Sequence, residues 1–168
     1  MADKQNLSNQ DAIKKMKDMA EEIKICMFCT YNAQQVMETA PMSANQIDDD
    51  GTFWFLSTKD STRNTDIQAN SATDLIFSQP GKENYLSVHG KSEVLYDKNK
   101  IDDLWNPIVK TWFTEGEDDP RITAIKIIPV EGYYWDTKHG KLVSLIEIIA
   151  SVVTGKANDD GIEGKIKL

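Results

Sequence analysis

Hydroxyl groups crowd one stretch of the chain: Phe55-Leu56-Ser57-Thr58-Lys59-Asp60-Ser61-Thr62-Arg63-Asn64. The stretch runs from an aromatic, apolar segment into a helix-forming one. At such a junction the first backbone N–H groups of the helix lack partners, and the helix dipole adds partial positive charge. Ser61 or Asp60 suits the N-cap. Arg63, in the first turn, can offer a bidentate charge-assisted contact, and Lys59 adds local positive charge. The chemistry these types suit is the holding of a phosphate or another small anion. Ordinary N-capping beside a surface arginine explains the same residues, and residue types alone do not separate the two readings.

Other candidates are weaker. The chain has no G-x-S-x-G, H-E-x-x-H, Walker or G-x-G-x-x-G string. His89 falls inside a strand pattern and His139 in Lys138-His139-Gly140-Lys141; neither has an acid beside it in sequence, so both read as structural. Asp48-Asp49-Asp50-Gly51 lacks the alternating ligands and distant Glu of a calcium loop, so no metal is expected. Cys26-Met27-Phe28-Cys29 has redox-motif spacing, but it lies within the β-branched and aromatic run 25–31. On a strand, positions 26 and 29 point to opposite faces, so these read as two buried thiols.

The elements that position these groups follow from periodicity and turn chemistry. Ser8 starts a helix over 8–23, with Ile13, Met16, Ala20 and Ile23 on one face. Strands are expected over 25–31, over 36–46 with a break near Pro41, over 52–58, 74–78 and 85–96, and within 121–129 and 132–136. Asp48 to Gly51 reads as a hairpin turn. Short helices fit 61–69, 98–106 and 108–113, and Glu115 to Pro120 reads as a solvated acidic loop. Leu142, Leu145, Ile146, Ile149, Val152 and Val153 form an apolar stripe at helical spacing, which suits packing on the barrel or on a second subunit. Many hairpins with few helices predict a mainly β fold, a barrel with peripheral helices. One domain is expected over 1–155, with a disordered polar tail over 156–168.

The 168 residues carry a net charge of -8, which disfavours a nucleic-acid partner. No apolar run is long enough to cross a bilayer and the N-terminal residues lack a signal-peptide core, so no membrane partner and a cytoplasmic location are expected.

Several segments stand in one order: Ala40-Pro41-Met42-Ser43, Gly51-Thr52-Phe53-Trp54-Phe55-Leu56-Ser57-Thr58, Asp60-Ser61-Thr62-Arg63, Leu104-Trp105-Asn106-Pro107 before Trp112-Phe113, and Tyr134-Trp135-Asp136. The ordered set closely resembles the bacterial general stress proteins of the pyridoxamine 5′-phosphate oxidase-like, FMN-binding split-barrel superfamily. The resemblance covers residues 8–155 and implies a six-stranded antiparallel split barrel, a homodimer, and FMN held between subunits. It implies that Pro41, Met42 and Ser43 flank the flavin ring, that Phe55, Leu56, Ser57 and Thr58 line the ribityl chain and ring edge, and that Ser61 and Arg63 take the phosphate. Trp112, with Trp105, is a candidate ring or interface contact; a plain core role fits both equally. The implied function is that of a low-specificity flavin-dependent oxidoreductase or flavin reductase, with NAD(P)H as a possible donor. The alternative is a module that binds flavin, or another phosphate-bearing ligand, without turnover. No catalytic residue is assigned. Two positions depart from the family habit: Ala40 stands where a basic or imidazole residue is common, and Arg63 where lysine is common.

Overall fold

The structure, a computed structural model, describes residues 3–4, 7–137 and 161–168. Among these, ten strands form one curled sheet. In chain order they are β1 (Asp3–Lys4), β2 (Leu7–Ser8), β3 (Ile25–Tyr31), β4 (Met37–Ser43), β5 (Gln46–Ile47), β6 (Phe53–Thr58), β7 (Ala72–Gln79), β8 (Asn84–Leu95), β9 (Ile122–Thr137) and β10 (Gly161–Lys167). The helices are α1 (Asn9–Ile23), α2 (Thr62–Ala69) and α3 (Lys98–Leu104). The main path runs β10-β9-β8-β7-β3-β4, antiparallel at each step, and the two-residue β1 and β2 pair with β10.

β9 makes the barrel split. Its first part, Ile122 to Ile127, pairs with β6, and its last part, Glu131 to Thr137, pairs with β10. β8 runs along the opposite edge of both parts, with a register shift between His89 and Gly90. Extra residues at such a bulge bend the strand and increase its twist. Gly90 is required there, because a Cβ would lie 2.7 Å from the Ile128 carbonyl oxygen. The fold is therefore the mainly β split barrel the sequence implies, with one long strand and three two-residue strands beyond the six expected.

The long additional strand is β10. A disordered tail was expected over 156–168, yet Gly161 to Lys167 pair along the end of β9, and Ile166 is buried in the core. Three hydrophobic side chains here, Ile162, Ile166 and Leu168, were outweighed by glycines and charges in the composition. A second correction concerns Pro41. It does not break its strand; it lies within β4, opposite Met27. β4 is the last strand of the path, and a missing N–H costs little on an edge. The chain leaves the ladder later, after Ser43. A third is that 121–129 and 132–136 belong to one strand, with Pro129 placed opposite Gly90 beside the register shift. The apolar stripe over 142–153 and His139 lie outside the described residues.

Two cores sandwich β6. Phe53 and Phe55 face the larger one, shared with Phe28, Leu75, Phe77 and the apolar face of α1. Trp54 and Leu56 face the smaller one, shared with Ile101, Leu104, Val109 and Ile122. A strand buried on both faces needs apolar side chains on both, which is why Phe53-Trp54-Phe55-Leu56 does not alternate with polar residues. Each such side chain contributes about 1.5–3 kcal/mol through burial.

Candidate functional site

The C-terminal end of β6 delivers Ser57 to the start of α2. Thr58 accepts from the Ser61 N–H at 3.0 Å, and Lys59 N–H donates to the Arg121 carbonyl at 2.8 Å, which holds the turn against the strand after the acidic loop. Ser61 is the N-cap, in extended conformation, and its Oγ accepts from the Asn64 N–H at 3.2 Å. The same Oγ lies 3.1 Å from Ser57 Oγ. Arg63 Nη1 donates to Ser57 Oγ at 3.1 Å. The expected cluster of Ser57, Ser61 and Arg63 is thus assembled in space.

Arg63 is held without a counter-ion among the described residues. Its guanidinium lies over the Phe28 ring, 5.4 Å from the centroid, and Phe28 meets Phe55 edge-on at 5.0 Å. Among the described residues no carboxylate ion-pairs with it, whereas the other arginine, Arg121, pairs with Asp119. Burial pulls the Arg63 pKa down from the ordinary arginine value, and the nearby Cys26 thiol acts in the other direction. A guanidinium remains charged through shifts of this kind. A half-buried cation with aromatic and hydroxyl neighbours, and no acid among the described residues, is an unneutralised charge.

β4 supplies the facing wall. Ala40 is paired with Phe28 and Met42 with Cys26, so both lie on the Arg63 side of the sheet. Met42 packs against the larger core, and Cys26 Sγ donates to the Met42 carbonyl at 3.5 Å. Cys26 is buried and its thiol is pushed up to about 12, chiefly by burial. Cys29 is also free and buried, and lies on the other sheet face opposite Asp74.

The remaining expected residues divide. Phe55 lies under the cluster through Phe28. Pro41 and Ser43 are exposed, on the opposite face of β4 from Met42. Leu56 turns into the smaller core, and its N–H donates to Asn45 Oδ1 at 2.9 Å. Thr58 is half-buried at the strand end. Trp112 closes a 3-10 turn beside the smaller core and is 81% exposed, while Trp105 packs with Phe113 against that core.

Three partners were not foreseen. Phe28 sits in a run that reads only as core. Thr123 pairs with Ser57 across β9 and β6, and its Oγ1 accepts from Asn64 Nδ2 at 2.9 Å. Asn64 is buried, and its Oδ1 has no partner among the described residues. These links join positions far apart in the chain, so no local spacing signals them.

The geometry fits a phosphate monoester: two hydroxyls 3.1 Å apart and a cation 3.1 Å from one of them. Ala40, across from Phe28 on β4, offers no side-chain donor.

Comparisons with known proteins agree on this architecture. The family model described as pyridoxamine 5′-phosphate oxidase like matches residues 11–159. The chain is 22% identical over 134 residues to Protein bli-3 of Neurospora crassa, a match that takes in 75% of this chain and 62% of that protein. A crystal structure of a general stress protein 26 from Jannaschia sp. CCS1 superposes with a TM-score of 0.76 at 24% identity, covering 94% of this chain and 99% of that one. The general stress FMN/FAD binding protein of Xanthomonas citri superposes with a TM-score of 0.66 at 22% identity, covering 79% and 93%. With the family model spanning most of the strands and both walls of the cleft, the chain belongs to the pyridoxamine 5′-phosphate oxidase like family.

Proposed function

We propose that this protein binds FMN, with the flavin phosphate at Ser57, Ser61 and Arg63, and works as a flavin-dependent oxidoreductase or flavin reductase. The observation that carries the reading is the half-buried Arg63 guanidinium with no carboxylate partner among the described residues. A cation left in that state loses hydration and is met only by a neutral hydroxyl and a ring face until an anion arrives. The similarity to the FMN/FAD binding protein of Xanthomonas citri supports the choice of anion.

The chain's own groups supply binding and orientation. Arg63 and the two hydroxyls hold the phosphate, and Phe28 braces the guanidinium from below. Met42 and Ala40 form an apolar wall that excludes water from the ring end. Bound flavin supplies the electron or hydride transfer. NADH or NADPH is the donor class to test first. Trp112 is 81% exposed, and a ring contact from it in a second copy of the chain, hence a homodimer, is part of this proposal.

A second reading has its own support. The titratable neighbour of Arg63 is Cys26, and a thiol held at about 12 is neither an acid nor a nucleophile at neutral pH. A site without a proton-handling group suits a flavin carrier as well as a reductase. Oxidation of NADH or NADPH by the FMN-loaded protein, above the rate of free FMN, separates them. Turnover supports the reductase; tight FMN binding with no excess turnover supports the carrier.

A further inference from the structure

α2 meets the sheet mainly through polar groups. Its buried residues are Asn64, Asp66 and Ile67, so only one of the three is apolar. Thr30 Oγ1 donates to Asp66 Oδ2 at 2.8 Å, which ties the helix to β3. Asn64 Nδ2 donates to Thr123 Oγ1 at 2.9 Å, which ties the first turn to β9. All four residues of these two bonds are buried.

Such bonds do what apolar contact does not. Burial of apolar surface is non-directional and tolerates sliding, whereas a hydrogen bond sets a distance and an angle. Bonds from one short helix to two different strands therefore fix its rotation as well as its depth. The anion cluster stands at these two ties. Thr123 is the cross-strand partner of Ser57, and Arg63 lies over Phe28, two residues before Thr30 on β3. Asn64 is linked on both sides of the cluster. Its backbone N–H donates to Ser61 Oγ at 3.2 Å, and its side chain grips the strand residue beside Ser57. The Ser57 and Ser61 hydroxyls, 3.1 Å apart, are thus joined by a second route that runs through Asn64.

Folding alone does not account for an amide here. Asn64 is 1% exposed, and its Oδ1 has no partner among the described residues. Replacing both members of a buried polar pair by apolar groups of the same shape is close to neutral, or stabilising. A polar residue that the fold would do as well without is the mark of a position held for function.

We infer that Asn64 is a positioning residue for the anion cluster: through Thr123 and Ser61 it sets the spacing of the two hydroxyls that a phosphate meets. A site whose contact groups are left without such support is present but loose. The inference rests on the phosphate reading of Ser57, Ser61 and Arg63.

The test is calorimetric titration of FMN and of riboflavin into the full chain, with a melting curve for each variant. The paired variant Asn64→Leu with Thr123→Val removes both halves of the bond. It should melt at or above the wild-type temperature and bind riboflavin as the wild type does, yet bind FMN about tenfold more weakly, the equivalent of one hydrogen bond. Thr123→Val alone leaves the Asn64 amide without its acceptor, so it should melt lower and lose FMN affinity in the same direction. Thr123→Ser keeps the hydroxyl and should keep the wild-type ratio of FMN to riboflavin affinity. If the paired variant does not fold, the two Thr123 variants decide by themselves. A ratio unchanged in the paired variant, or in Thr123→Val, overturns the inference. So does a loss in Thr123→Ser as large as in Thr123→Val. A wild-type chain with no preference for FMN over riboflavin overturns the phosphate reading and this inference together, whereas a preference that outlasts loss of the Asn64–Thr123 bond overturns this inference alone.

Discussion

Arg63 is the residue on which the phosphate reading turns, and its cost and its use have the same origin. The guanidinium gives up hydration to sit over Phe28 and receives one neutral hydroxyl in exchange. Charge-assisted contacts contribute about 1.5–3 kcal/mol. Arg63→Ala is therefore expected to weaken FMN binding about ten- to one-hundred-fold by fluorescence titration. The same change removes an uncompensated charge, so the melting temperature should hold or rise. A large loss of stability would mean that Arg63 is a structural residue. Tyr31 makes a different prediction. Its folded-state value near 12 lies above the ordinary phenol value of 10.0, because the protonated form donates to Asp74. The stability it contributes is complete below pH 10 and is lost as pH rises through about 12. Thermal melts between pH 9 and 12 should fall more steeply for the wild type than for Tyr31→Phe. At this scale the sequence was partly legible. Ser61 and Arg63 stand out because a cap and a cation share one turn. Phe28, Asn64 and Thr123 do not, because their roles depend on contacts among β3, β6, β9 and α2 that no local pattern encodes.

Elements came out of the sequence where one local force dominates. The run 25–31 reads as β3 because β-branched and aromatic residues cluster there, and Gly51 marks its hairpin because the turn needs φ of 88°. They were misread where tertiary position decides. Pro41 sits inside β4 because that strand is an edge, which only the assembled sheet defines. β10 is built from a charged, glycine-containing segment because the end of β9 offers it an edge to pair with. Two predictions belong here. Gly90→Ala forces a Cβ against the Ile128 backbone and should cost about 1–3 kcal/mol in urea unfolding, with FMN affinity per folded molecule little changed. Deleting residues 161–168 removes the buried Ile166 and bares an edge of β9. The truncated chain should melt at lower temperature and aggregate faster by light scattering, as expected of an exposed edge.

For the whole molecule, the sheet serves the cleft by splitting. β9 hands its partner edge from β6 to β10, and α2 lies against β3, with Arg63 over the Phe28 ring and Thr30 Oγ1 donating to Asp66. The acidic net charge of -8 makes a lone uncompensated arginine more conspicuous, since long-range fields do not draw anions to this surface. Binding at such a site must be short-range and specific. The most direct measurement is a calorimetric titration of FMN, riboflavin and inorganic phosphate into the wild-type chain and into Arg63→Ala. The account predicts saturable FMN binding in the micromolar range or tighter, weaker riboflavin binding, and an Arg63→Ala chain that no longer distinguishes FMN from riboflavin. Equal affinity of the wild type for FMN and riboflavin, or an FMN preference that survives the loss of Arg63, would contradict it.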